Sequence, residues 1–173
     1  IVSTKVEELV LSDRESAVID FNSGSPLTKP FNVGDNYGGV SISVDNKELF
    51  VCACSMNEKK YNNCDIFSTR YEYVKDAKTG KMVYKWAELV NLGAGVNGPN
   101  SWESQPSISA NGKTLYFATA REGARGQDIY YSEKQEDGTW GKAKSIGSVI
   151  NSELNEKAKE KVNQKVTRIY KDY

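Results

Sequence analysis

Two stretches of this chain, 66 positions apart, carry nearly the same pattern, and any fold assigned to it has to use that pattern twice. Ser41-Ile42-Ser43-Val44-Asp45-Asn46-Lys47-Glu48-Leu49-Phe50-Val51 lies over Ser107-Ile108-Ser109-Ala110-Asn111-Gly112-Lys113-Thr114-Leu115-Tyr116-Phe117 without a gap, and six of those eleven pairs are identical or exchange one aromatic for another. After a loop of different length, Asp65-Ile66-Phe67 meets Asp128-Ile129-Tyr130, Trp86 meets Trp140, and Val96-Asn97 meets Ile150-Asn151. Landmarks in fixed order, with length changes confined to loops, mark one structural unit used twice.

Each unit reads as four short strands. A Ser-Ile-Ser strand is followed by Asp45-Asn46 or Asn111-Gly112, residues that tolerate the positive φ of two-residue hairpins, so a second strand folds straight back. That strand, Leu49 to Cys54 or Leu115 to Ala120, is rich in aromatic and small apolar residues suited to a sheet covered on both faces. The third strand opens at Asp65 or Asp128. A turn near Thr79-Gly80 or Asp137-Gly138 leads to a fourth strand at the tryptophan. Four antiparallel strands repeated at this period describe a blade of an all-β propeller.

Composition narrows the chemistry. The chain has 173 residues and no histidine, which excludes Ser-His-Asp and Cys-His catalysis and the usual zinc ligand sets within it. Its 23 basic residues balance 23 acidic ones, leaving no electrostatic footprint for nucleic acid. No apolar run reaches the ~18 residues of a membrane span, so the chain is not read as membrane-spanning.

The stretch Pro106 to Phe117 followed by Asp128-Ile129-Tyr130 resembles the TolB-type, WD-like propeller repeat, with its P-x-I-S-x-D/N-G-K-x-L-x-F core and D-I-Y sequel. The earlier copy departs from it at Val40 and Asn46. The spacing W-x-x-A-x-x-I/L-G and the run Ile150-Asn151-Ser152-Glu153-Leu154-Asn155-Glu156 are similar to repeats of Bacteroidota outer-membrane-associated proteins, some peptidoglycan-binding and one linked to type IX secretion. The resemblance implies a periplasmic, outer-membrane-associated protein whose partners are other envelope proteins. Peptidoglycan would be met only through a domain absent from this sequence.

The chain divides accordingly into an N-terminal segment, 1–26, read as a helix (Val6 to Val18) or a partial blade; the end of a preceding blade, 27–36; two blades, 37–100 and 101–155; and a segment, 156–173. In that last segment Ala158, Val162, Val166 and Ile169 stand at helical spacing and predict an amphipathic helix. Near Ala158 the repeat stops where another Ser-Ile-Ser strand is expected, so either two pieces of a longer chain are joined there, leaving the helical segment 156–173 discontinuous with the rest, or that helix replaces further blades.

Among residues with chemical potential, Asp65 and Asp128 recur at equivalent places and are assigned a structural role, fixing a turn by accepting backbone N–H bonds. Trp86 and Trp140 recur likewise and are expected to fill the space between blades. Cys54 and Cys64 flank a loop and are candidates for a disulfide; free thiols and, with Cys52, a metal site are the alternatives, the last being a poor ligand set without histidine. No cofactor and no catalytic residue is expected.

What the repeats do not share is where recognition is sought: Trp102, Tyr61 in the cysteine-bearing loop, and Arg121 and Arg125 in a glycine-rich loop that lacks the lysine and following helix of a phosphate-binding loop. The expected function is a non-enzymatic scaffold for protein–protein interaction in an envelope or secretion assembly. The alternatives are the propeller of a glycan- or peptide-acting hydrolase, and a carbohydrate-binding module using Trp102 and the tyrosines as stacking platforms.

Overall fold

A computed structural model describes residues 9–12, 16, 18, 20, 23–33, 36–56, 62–124 and 126–151. Tyr61, Arg125 and the expected C-terminal helix lie outside them. The described residues form antiparallel β-sheets and no helix.

The second repeat is the simpler one. β8 (Glu103–Ile108), β9 (Thr114–Thr119), β10 (Asp128–Glu133) and β11 (Lys144–Ser145) make a four-stranded sheet in sequence order. The first repeat has the same plan in β3 (Asn36–Ile42), β4 (Glu48–Met56), β5 (Asn62–Lys75) and β7 (Val90–Asn91). Register confirms the equivalence: Ser41 faces Phe50 as Ser107 faces Tyr116, and Phe67 faces Asn91 as Tyr130 faces Ser145.

Both first turns are longer than a two-residue hairpin. Ser43 N–H bonds the Glu48 carbonyl and Ser109 N–H bonds the Thr114 carbonyl, each at 2.8 Å, so the loop runs over Val44 to Lys47 or Ala110 to Lys113. The expected residues still carry the positive φ, 57° at Asn46 and 69° at Gly112. The Asp45 or Asn111 side chain accepts the N–H two residues on, as short polar side chains do in turns.

The fourth strand is not at the tryptophan. Trp86 ends β6 (Met82–Trp86), which pairs only with the outer half of β5, and Trp140 makes an isolated bridge to Lys134; the unit's fourth strand is the two-residue β7 or β11 that follows. The tryptophan therefore closes a side hairpin. In the first repeat that hairpin grows into an arm, Tyr71 to Trp86, projecting from the sheet.

Such short fourth strands are held by asparagine. The Asn97 amide accepts the Ile66 N–H at 2.8 Å and donates to the Ile66 carbonyl at 2.9 Å; Asn151 does the same to Ile129, both bonds at 2.9 Å. A third copy lies upstream. Asn32 accepts the Leu9 N–H at 2.7 Å and donates to the Leu9 carbonyl at 2.9 Å, while β1 (Val10–Leu11) pairs with β2 (Ser25–Pro26) in the register of β5 with β7. The N-terminal region thus supplies the third and fourth strands of a preceding unit. The helical reading of Val6 to Val18 fails at Val10–Leu11, and the preceding unit's last strand lies at Ser25–Pro26, before the expected boundary at 27.

Consecutive units pack face against face. Phe50, Ile66 and Val96 of one complete unit and Ile108, Leu115, Phe117 and Trp140 of the next form one buried cluster, with Phe50 edge-on to Trp140 at 5.8 Å. Burial of such side chains contributes about 1.5–3 kcal/mol each. Ser41 Oγ accepts the Ile108 N–H at 3.1 Å across the same boundary. At Gly95 the backbone comes so close to the Trp140 carbonyl that a Cβ would land on it, so only glycine fits.

Candidate functional site

The two repeats differ most in the arm and in the crevice at its base. On the arm, Tyr71 faces Trp86 and Tyr73 faces Tyr84 across the hairpin, so period-two alternation places all four rings on one side. Tyr71 and Tyr84 stack at 5.4 Å with planes 17° apart, Tyr73 and Tyr84 lie at 4.6 Å, and Tyr71 and Trp86 at 5.0 Å. Tyr73 and Tyr84 are 56% and 62% exposed, and Met82 beside them is also exposed. The inner end is anchored by Phe31, edge-on to Trp86 at 6.0 Å. An aromatic row fixed at one end and open at the other can bury large area at little entropic cost, as interface anchors do.

Below the arm a pocket of about 310 Å³ opens between the preceding partial unit and the first complete one, lined by Tyr37, Ala53, Ser55, Phe67, Glu88 and Leu89 among others. In the second repeat the corresponding region is closed by a polar network. Glu103 is 0% exposed; its carboxylate accepts Ser101 Oγ at 2.6 Å, Thr119 Oγ1 at 2.7 Å, Gly98 N–H at 3.0 Å and Arg121 Nη2 at 3.2 Å. Arg121 also donates to the Val96 carbonyl and lies over the rings of Tyr130 and Phe117 at 5.1 and 5.3 Å. Its guanidinium is engaged inside the protein, whereas sequence reasoning had placed it at a partner surface.

The other expected site residues fall as follows. Trp102 is 42% exposed. Trp140 is buried between units, while Trp86 is half-buried against Phe31 and Tyr71. Asp128 is buried at the start of β10. Asp65 accepts two side-chain amides, Asn63 Nδ2 at 3.1 Å and Asn91 Nδ2 at 2.8 Å, where turn backbone donors were expected. Burial pushes its carboxyl above the usual range, with the nearby Glu103 charge adding to the rise and the Asn91 and Asn63 bonds opposing it.

Cys54 and Cys64, directly opposite in β4 and β5, are joined by a disulfide. Cys52 is a buried free thiol whose Sγ donates to the Glu103 carbonyl oxygen at 3.4 Å, and burial, with the Asp65 and Glu103 charges, pushes it up to about 12. The three sulfurs lie within 4.8 Å of one another, so reduction would gather thiols of the kind soft ions take; oxidised, the trio keeps one ligand atom.

Sequence reasoning missed the arm, the Glu103 network and the upstream asparagine. Two signals were present: Tyr71-x-Tyr73 set against Tyr84-x-Trp86, and an aliphatic residue, three others, an apolar residue and Asn, at Leu27/Phe31/Asn32, Leu92/Val96/Asn97 and Ile146/Ile150/Asn151. Among the described residues no helix is long and apolar enough to cross a membrane. The chain matches no protein-family model, no curated protein and no solved structure.

Proposed function

We propose that this chain is a non-enzymatic scaffold of the TolB-type propeller kind, its four-stranded units acting as blades, and that it binds another protein in the bacterial envelope, in a secretion or outer-membrane assembly. The observation that carries the reading is the exposed row Tyr71, Tyr73 and Tyr84 with Met82, on an arm that the sister unit replaces with a tight turn at Gln135 to Thr139. An elaboration of one repeat that adds nothing to the shared core and presents aromatics to solvent has the composition of an interface hot spot. The Cys54–Cys64 disulfide suits an oxidising compartment such as the periplasm.

A second reading, carbohydrate binding, draws on the same row and on exposed Trp102. It is the weaker one because Tyr71 and Tyr84 turn ring faces toward each other, whereas a sugar stacks on a ring face left open. The test is capture from an envelope fraction by the immobilised chain, beside a Tyr73→Ala/Tyr84→Ala variant and a panel of soluble polysaccharides. One saturable protein partner lost with the double variant supports the proposal; equal capture by both chains, or retention of a polysaccharide alone, overturns it.

A further inference from the structure

The pocket below the arm has an internal reference, because the second repeat shows what occupies the same place there. The register fixes the correspondence. Tyr37 faces Ala53 across β3 and β4 as Glu103 faces Thr119 across β8 and β9, and two residues beyond Ala53 and Thr119 stand Ser55 and Arg121. Phe67 answers to Tyr130, each paired with the fourth strand at the same step. The hydrogen bonds agree: Val33 N–H donates to Tyr37 Oη at 3.3 Å where Gly98 N–H donates to Glu103 Oε2 at 3.0 Å. Four residues of the pocket lining, Tyr37, Ala53, Ser55 and Phe67, are therefore the counterparts of Glu103, Thr119, Arg121 and Tyr130.

In the second repeat an arginine side chain fills this space. It runs over the Tyr130 ring and reaches the Val96 carbonyl and the Glu103 carboxylate. In the first repeat the arginine is Ser55 and the space is open. The ring that would lie beneath a guanidinium is retained as Phe67, and Phe31 carries the carbonyl that corresponds to that of Val96. The internal carboxylate has become a phenol, Tyr37, but an acid has appeared at the rim, where Glu88 lines the pocket and its counterpart in the second repeat is Lys142. The second repeat keeps its negative charge inside, against the chain's own arginine, whereas the first carries one on an exposed residue of the pocket lining. At about 310 Å³ the pocket sits at the small end of ligand sites, roughly 300–1,000 Å³, a size for one side chain.

We propose that this pocket receives an arginine side chain presented by the protein partner. The proposal rests on the protein-binding reading above and names the chemistry of the contact: a planar cation laid on Phe67, with Glu88 as its counter-charge.

The test titrates the complete 15N-labelled chain with Nα-acetyl-L-arginine amide and, in parallel, with the norleucine analogue, following backbone amide shifts. Saturable shifts at Ala53, Cys54, Ser55 and Phe67 are expected, with the arginine probe binding about tenfold more tightly than norleucine. Glu88→Gln, at an exposed position, is expected to weaken the arginine probe by about two- to fivefold. Ser55→Arg is expected to abolish the shifts, because its own guanidinium enters the pocket as Arg121 does next door. Absence of saturable shifts, equal binding of the norleucine probe, or binding indifferent to both substitutions overturns the proposal. Probe binding in a chain whose arm captures no protein upholds the pocket and overturns the reading of the arm.

Discussion

Asn97→Ala is the substitution that most directly tests how these units hold together. The residue is buried, and its amide makes three bonds: it accepts the Ile66 N–H at 2.8 Å and donates to the Ile66 carbonyl and to Asn91 Oδ1, both at 2.9 Å. After truncation the Ile66 carbonyl keeps the Leu92 N–H at 3.1 Å, and Asn91 Oδ1 keeps the Gly93 N–H at 2.8 Å. The Ile66 N–H keeps nothing, and Ile66 is 0% exposed. An orphaned buried donor costs about 1–3 kcal/mol and the lost donor bonds about 1 more, giving about 2–4 kcal/mol in all. With a urea slope of about 1–3 kcal/mol per molar, the midpoint followed by tryptophan fluorescence should fall by about 1 M or more at unchanged slope. Asn151→Ala, at a half-buried copy of the same clamp, should cost about half as much. Asn97→Asp keeps the acceptor but sets a carboxylate against the Ile66 carbonyl, so it should fall below Asn97→Ala at neutral pH. A loss under about 0.5 kcal/mol for Asn97→Ala, or one no larger than for Asn151→Ala, would refute the reasoning.

Four further outcomes are expected. Arg121→Ala leaves the buried Glu103 carboxylate with Ser101, Thr119 and Gly98 as its remaining donors, and should destabilise the chain by about 2–4 kcal/mol in the same denaturation assay, the figure for breaking a buried pair tempered by those bonds. Replacing Cys54 and Cys64 by serine opens a loop of sequence separation 10 and should cost about 2–3 kcal/mol, while Cys52, with its thiol at about 12, should resist thiol reagents at pH 8 until urea unfolds the chain. Asp65, whose carboxyl is raised by burial, binds its proton more readily in the native than in the unfolded chain, so its contribution is favourable below the unfolded value of 3.8 and is lost as pH rises through the folded value; Asp65→Asn should remove that downward slope from the stability profile.

The repeat was legible because its landmarks are backbone requirements. Ser43/Asp45 and Ser109/Asn111 write the turn, and the apolar pairs Leu49/Leu115 and Val51/Phe117 write the buried strand, each within a few residues. The tryptophans misled for a related reason. Trp86 and Trp140 carry the strongest local signal near the end of each unit, but the chain needs a few more residues to return beside β5 or β10, and the true fourth strands, Val90–Asn91 and Lys144–Ser145, are too short to show alternation. Arg121 was misplaced because a glycine-flanked loop reads as exposed, and nothing local reveals a carboxylate that arrives from another strand 18 residues earlier. The pocket was illegible for the complementary reason: it is a place where side chains fall short, and it emerges only when Ser55 is set beside Arg121.

The asparagine clamp has a consequence for self-association. A two-residue outer strand leaves part of the neighbouring strand's hydrogen-bonding edge uncovered, and uncovered edges are templates on which a foreign strand can add. At Ile66, Ile129 and Leu9 the amide of Asn97, Asn151 or Asn32 takes both the N–H and the C=O that such a strand would need. At that step of each unit a side chain too short to propagate a ladder stands where an added strand would have to bond.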